Sequence, residues 1–330
     1  MTKAKAQEHP VLDPHESETA EEGTLFDHFD KLKISSKQKI VILTGASTGI
    51  GFATAKYLIE RSVFVIATVR RREDYEKLAA LGDSVCPVIL DVCDLNRAIH
   101  LANAVDNLLA RHERPYLDAL INNAGIALGG PLVELDDETL QRQLEVNVVA
   151  PMRMVRVFAK LLGVREGSQK GGRVIQVGSI SGQRAMPFVG PYTASKFALE
   201  GLSDSLRMEL LPFGIDVIMV RPGPINTEIW DKAPRPEENP FADGLYHHSL
   251  TLFYNWIVKG GYQGLPPSAI AEVIHKALIS ARPKPRYTKT PGYFMRVLLP
   301  RLLPTRTFDR LMGRILALTP KAFHKAYKER

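Results

Sequence analysis

Short, unbroken apolar runs alternate along most of the chain with longer stretches in which apolar residues recur every three or four positions. The runs lie at residues 39–44, 62–69, 85–91, 117–122, 172–178 and 215–220, with a weaker one at 286–290. They are continuous rather than alternating, as strands are when both faces of their sheet are covered. The stretches at 52–61, 73–81, 96–113, 192–211 and 268–280 carry helical spacing, and 137–162 reads as one or two helices. Regular strand–helix alternation of this kind predicts an α/β fold, a doubly wound parallel sheet in a single Rossmann-type domain over residues 37–290.

Three segments depart from that rhythm. Residues 1–36 are polar and mostly acidic, which predicts a disordered tail. Within them Leu25, Phe26, Phe29 and Leu32 share one helical face, so a short helix there is expected to dock on the body. Residues 226–265 are rich in Pro, Gly and aromatics, including Trp230, Phe241, Tyr246, Phe253, Tyr254 and Trp256, and suit a lid over an apolar ligand. The same aromatics also suit simple packing of that segment onto the body. Residues 291–330 combine apolar and basic positions, as in Tyr293-Phe-Met-Arg-Val-Leu-Leu-Pro300. Such an extension fits an anionic membrane surface, a cap on the pocket or a dimer contact.

Charge and cysteine usage narrow the setting. The net charge is +7, yet residues 282–330 hold 13 Lys/Arg against 2 Asp/Glu, so the basic excess belongs to the extension and not to the catalytic body. No nucleic-acid-binding motif accompanies it, and no nucleic acid partner is expected. Cys86 and Cys93 are the only cysteines, too few for a disulfide framework or a zinc site. No metal is expected. The N-terminal residues have no apolar h-region and no run has the length of a membrane span, so a cytoplasmic protein is expected, with peripheral membrane contact through 291–330.

The chemistry is carried by four motifs. Thr44-Gly-Ala-Ser-Thr-Gly-Ile-Gly51 places Gly45, Gly49 and Gly51 between the first strand and a helix, where backbone N–H groups can approach a pyrophosphate. Asn122-Asn-Ala-Gly125 ends the fourth strand. Ser179 follows the fifth, and Tyr192-x-x-x-Lys196 opens the next helix with both side chains on one face. Pro222-Gly-Pro-Ile-Asn-Thr227 follows the sixth. An ammonium beside a phenol favours the phenolate, so Lys196 is expected to lower the pKa of Tyr192 toward neutrality. Tyr192 then serves as general acid or base at a carbonyl or alcohol oxygen, which the Ser179 hydroxyl holds. Asn147 lies on an otherwise apolar helical stretch and needs a partner, in a catalytic or a purely structural role. The second strand ends in Thr68-Val-Arg-Arg-Arg72 with no acidic residue until Glu73. Guanidinium groups suit a phosphate dianion, so NADP(H) is favoured over NAD(H), with Arg70 and Arg71 on the 2′-phosphate and Thr48 assisting.

Together, in this order, the motifs resemble the short-chain dehydrogenase/reductase family. Ala67-Thr-Val-Arg70, Val146-Asn-Val-Val149 and Gly178-Ser-Ile-Ser-Gly182 resemble its 17-beta-hydroxysteroid and retinol dehydrogenase branch. The resemblance implies an NADP-dependent oxidoreductase that interconverts a lipophilic alcohol and its ketone or aldehyde. It places catalysis on Asn147, Ser179, Tyr192 and Lys196, with a water at Asn147 linking Lys196 to solvent. It implies cofactor contacts at Thr44, Gly45, Ser47, Thr48, Gly49, Ile50 and Gly51, at Asp91 (near the adenine) and Val92, and at Asn123, Ala124 and Gly125. Further contacts are implied at Pro222, Gly223, Ile225 and Thr227, besides Tyr192 and Lys196. Met186, Phe188, Val189 and Trp230 are the candidate substrate residues. A homo-oligomer built on helices 137–162 and 192–211 is expected by the same resemblance. Two other readings stay open: reduction of a 3-oxoacyl thioester, and a cofactor-binding regulator without turnover.

Overall fold

The computed structural model describes Phe29 and residues 31–328. Seven strands form one parallel sheet in the order β3-β2-β1-β4-β5-β6-β7. They are β1 (Lys39–Leu43), β2 (Val63–Val69), β3 (Val85–Ile89), β4 (Ala119–Asn122), β5 (Arg173–Val177), β6 (Asp216–Pro222) and β7 (Arg286–Lys289). The chain order reverses between β1 and β4, which makes that crevice the topological switch point.

Side-chain alternation sorts each strand into two cores. Ile40 and Ile42 of β1, with Phe64 and Ile66 of β2, join a layer against α3 (Leu95–Arg111), α5 (Ala150–Leu162) and α6 (Gly190–Glu209). Val41 and Leu43, with Val65 and Ala67, join the opposite layer against α1 (Gly49–Ile59), α2 (Arg72–Ala79) and α9 (Ser268–Ile279). Burial on both faces explains why these strands read as unbroken apolar runs. In α3 the stripe Ala98, Leu101, Val105 and Leu108 faces the sheet, and Asp94 caps the helix by accepting a hydrogen bond from Arg97 N at 3.0 Å.

Several boundaries shift for local reasons. α1 begins at Gly49, inside the glycine-rich motif. α6 begins at Gly190, with Pro191 near its N-terminus, where a missing N–H costs nothing. The stretch at 137–162 divides into α4 (Asp137–Leu144), a π-helical turn (Glu145–Val149) and α5. Of the proposed docking face near the N-terminus, Leu25 and Phe26 lie outside the described residues. Phe29 is 2% exposed and Leu32 packs beside it in the first core layer, while Arg111 Nη2 donates to Phe29 O at 2.8 Å.

The lid contains α7 (His247–Phe253), a π turn (Tyr254–Val258) and the short α8 (Lys259–Gly261). The C-terminal extension contains a π turn (Phe294–Leu298), α10 (Leu299–Leu302), α11 (Thr305–Ile315) and α12 (Pro320–Lys328). Both pack into a third, smaller core. There Phe188, Leu250, Phe253, Val258 and Leu316 are buried, with Val189, Trp230, Phe241 and Tyr246 against them.

Candidate active site

Because the sheet is parallel, the turn after β1, Arg70 after β2, Asp91 after β3, Asn122 at the end of β4, Ser179 after β5 and Pro222 at the end of β6 all lie along one edge. Gly45 adopts a φ of +65°, which a side chain would strain, and a Cβ there would lie 2.7 Å from Ala124 Cα. At Gly51 a Cβ would lie 2.0 Å from the Gly45 carbonyl oxygen. The turn therefore folds tightly under α1. Among the described residues no side chain caps α1: Thr48 is its N-cap residue and makes no capping hydrogen bond. The helix end is thus left as an anion site. Glu228 Oε2 lies nearby, 3.5 Å from the Cβ position of Gly49.

Thr44 and Asn123 brace this turn from below. The Thr44 hydroxyl oxygen accepts hydrogen bonds from Asn123 N and Ala124 N, both at 3.0 Å. Asn123 Nδ2 donates to Thr44 O at 3.1 Å and Gly45 O at 2.9 Å. Asp91 is exposed and accepts from Cys93 N at 2.9 Å, while Val92 is buried beside it. Arg70 and Arg71 are exposed and have no partner among the described residues, whereas Arg72 pairs with Glu76 at 3.5 Å. Pro222 and Ile225 are buried, and Gly223 N donates to Lys289 O at 2.9 Å. Thr227 Cβ lies 3.0 Å from the Gly49 Cβ position. A cavity of about 280 Å³ lies between Gly49 and the Asn226–Thr227–Glu228 segment, at the phosphate edge of the crevice rather than over Ser179. These residues fit a nicotinamide dinucleotide: an uncapped helix N-terminus for the pyrophosphate, and unpaired guanidinium groups at the end of the second strand.

At the other end of the crevice, Ser179 is 8% exposed, its Oγ accepts from Ser181 N at 3.1 Å, and its side chain interacts with the Tyr192 phenol. Lys196 is 7% exposed; its Nζ donates to Val177 O at 3.1 Å and lies 5.6 Å from the centre of the Tyr192 ring. The expectation that Lys196 depresses the Tyr192 pKa is not met in this structure. Burial raises the phenol above its ordinary value, and only the Ser179 hydrogen bond opposes it. The same burial lowers Lys196 from 10.5 to about 8, so it keeps its charge at neutral pH. Tyr192 is therefore held as a neutral phenol, ready to give a proton.

Asn147 is 1% exposed in the π turn. Its Oδ1 accepts from Ile126 N at 2.9 Å, and its Nδ2 donates to Ile126 O at 2.9 Å and Ser195 Oγ at 3.1 Å. Ser195 Oγ donates in turn to Tyr192 O at 2.7 Å. Asn147 thus ties the segment after β4 to the helix that carries Tyr192. Two members of this brace were missed in the sequence. Ser195 is one. Gln143 is the other: fully buried, it accepts from Leu128 N at 2.7 Å and donates to Ile126 O at 2.9 Å. Its spacing of four from Asn147 on a helical face was the available signal. A third missed feature holds α6 to the sheet. Glu200 is gripped by Arg221 through two bonds, 2.5 and 2.6 Å long, and by Arg286 at 3.4 Å.

Of the candidate substrate residues, Phe188 is buried and edge-on to Tyr246 and Phe253, with centroids 5.9 and 5.8 Å apart. Its φ of +64° is held by its carbonyl, which accepts from Gly130 N at 2.8 Å. Val189 packs in the same cluster, and Met186 is half-buried on the same loop. Trp230 is half-buried; its Nε1 donates to Ile225 O at 2.7 Å and its ring covers Gly261. Among the described residues no group of His, Cys, Asp or Glu could hold a metal ion.

The family model described as short chain dehydrogenase matches residues 39–238. The chain is 31% identical to an NADPH-dependent 3-dehydrocapnine reductase of Ornithobacterium rhinotracheale, over 83% of this chain and 95% of that one. The chain belongs to the short-chain dehydrogenase/reductase family. Human 17-beta-hydroxysteroid dehydrogenase type 1 is 34% identical over 77% of this chain and 78% of its own. A short-chain dehydrogenase from Burkholderia cenocepacia J2315, solved in complex with NADP, superposes with a TM-score of 0.62 at 25% identity, covering 87% of this chain and all of that one. As a member of this family, the protein is an oxidoreductase acting on CH–OH groups through a nicotinamide cofactor.

Proposed function

We propose that this short-chain dehydrogenase/reductase uses NADP(H) to interconvert a lipophilic alcohol with its ketone or aldehyde. The observation that carries the substrate class is the apolar cluster over the loop into Tyr192. Phe188 stands four residues before the catalytic phenol, roofed by Tyr246, Phe253 and Leu316 from the lid and the C-terminal extension. An apolar enclosure excludes water and suits an apolar ligand. Arg70 and Arg71, unpaired where the adenosine ribose would bind, support the phosphorylated cofactor, as does the NADPH dependence of the similar reductase.

A reduced dinucleotide supplies the hydride. Ser179 holds the substrate oxygen, and Tyr192, kept protonated by burial, gives that oxygen its proton as negative charge develops. Lys196, fixed by Val177 O, is positioned to support the phenol and the nicotinamide ribose. The test is oxidation of NADPH and NADH against steroids, retinal, other aldehydes and a 3-oxoacyl thioester, with Tyr192→Phe as control. NADPH-selective turnover of apolar carbonyls supports the reading. Preference for NADH overturns the arginine assignment, and preference for the thioester moves the substrate to acyl chemistry.

We also propose peripheral contact with anionic membranes through the extension. Tyr293, Phe294, Met295 and Leu302 are each more than half exposed beside exposed Arg296 and Arg301. No helix among the described residues is long and apolar enough to cross a membrane. Flotation with vesicles containing phosphatidylserine, with and without residues 291–330, tests this contact. Exposed Leu140, Val149, Phe197 and Leu202 on the helices named above support a homo-oligomer, checked by light scattering. A cytoplasmic setting is proposed from Cys86 and Cys93, which form no disulfide.

A further inference from the structure

Gln183 and Arg184 leave the short helical turn after Ser179 and enter the loop that ends at Tyr192. Gln183 Nε2 and Arg184 Nη2 are both buried, and neither has a hydrogen-bond partner among the described residues. No acidic side chain among the described residues pairs with Arg184. The guanidinium is instead stacked over the Phe308 ring at 4.3 Å, and Phe308 is buried in α11 of the C-terminal extension. Arg184 therefore bridges this loop and α11 of the C-terminal extension while its hydrogen-bonding edge has no partner among the described residues. Burying donors without an acceptor is costly, more so when one carries charge, and native chains normally supply a partner. Here two such donors stand on neighbouring residues, on the loop between Ser179 and Tyr192, and the described residues offer no counter-charge. A guanidinium fork matches an oxyanion.

We propose that Gln183 and Arg184 form a headgroup subsite for an anionic oxygen group, a carboxylate or similar oxyanion, carried by the lipophilic substrate. This rests on the lipophilic-substrate reading and sharpens it: the ligand is amphiphilic, with an apolar body under Phe188 and a charged end at Arg184. Phe308 holds the guanidinium flat, so the extension takes part in recognition through that contact.

The test measures binding of laurate and of methyl laurate to the full chain by calorimetry, for wild type, Arg184→Met and Arg184→Lys. Met keeps an apolar stem against Phe308, and Lys keeps the charge without the fork. Laurate is expected to bind wild type about 10- to 100-fold more tightly than Arg184→Met, with Arg184→Lys between them. Methyl laurate is expected to bind all three within about 2-fold, the spread that loss of no hydrogen bond allows. Equal binding of laurate to wild type and Arg184→Met overturns the proposal, as does an equal loss for the ester. Inorganic sulfate binding Arg184 as tightly as laurate does would assign the site to a free anion and overturn the headgroup role. Turnover of neutral apolar ketones, measured in parallel, reports on the catalytic reading separately. If wild type turns over none while laurate still depends on Arg184, the substrate class fails and the anion subsite stands.

Discussion

Replacing Lys196 with Met measures what this buried lysine costs the fold. Lys196 is 7% exposed, and Val177 O, at 3.1 Å, is its hydrogen-bond acceptor among the described residues. Burial lowers its pKa from 10.5 to about 8. The unfolded chain keeps this proton up to about pH 10.5, whereas the folded chain releases it near 8. Between those values the unfolded state binds more protons, so stability rises with pH; below 8 the whole penalty is present. About 2.5 pH units at about 1.4 kcal/mol each amounts to about 3–4 kcal/mol. Methionine removes the charge at similar length but strips Val177 O of its donor, returning about 1–2 kcal/mol. Cofactor-free Lys196→Met should therefore be about 1–2 kcal/mol more stable than wild type at pH 7 in urea unfolding. At pH 9.5 wild type has shed about 2 kcal/mol of its penalty, and the difference should close or reverse. Turnover should fall by at least about 100-fold. A variant less stable than wild type at pH 7, or a difference that is the same at both pH values, would refute the reasoning.

Tyr192→Phe should lower kcat by about 10²- to 10⁴-fold while cofactor affinity, read by NADPH fluorescence, changes little. The rate of carbonyl reduction should decline as pH rises through about 8, where Lys196 loses its proton, with Tyr192 still protonated there; a flat profile from pH 7 to 9.5 would contradict this. Arg70→Ala should weaken NADPH binding by about 10- to 100-fold and leave NADH binding nearly unchanged, measured by titration of both cofactors. Arg221→Met leaves Glu200 buried beside Arg286 alone and should destabilise by about 3 kcal/mol, read as a lowered urea midpoint.

The strand-end chemistry was legible in the sequence because it is local. A glycine turn, an Asn-rich turn, a Ser after a strand and a Tyr four residues before a Lys each report the edge of the sheet on which they stand, and parallel pairing then brings those edges together. What depends on burial was not legible. Tyr192 and Lys196 sit at the expected spacing, yet their pKa values follow desolvation, which only the packed lid and loops define. The Glu200–Arg221 pair joins residues 21 apart on a helix and a strand, and nothing in the spacing marks it. The extension shows the limit most clearly. Its apolar and basic sequence suited a membrane surface, a cap on the pocket or a dimer contact; Phe308, Met312 and Leu316 lie on one side of α11, with Leu311 and Ile315 beside them. In the fold the first three are buried and the last two exposed among arginines; of the buried three, Leu316 joins the apolar cluster and Phe308 meets Arg184. Phe308 reaches Arg184 from α11, whereas the exposed apolar residues proposed to meet a membrane lie in the preceding π turn and α10, so headgroup recognition and membrane contact fall on successive elements of one extension.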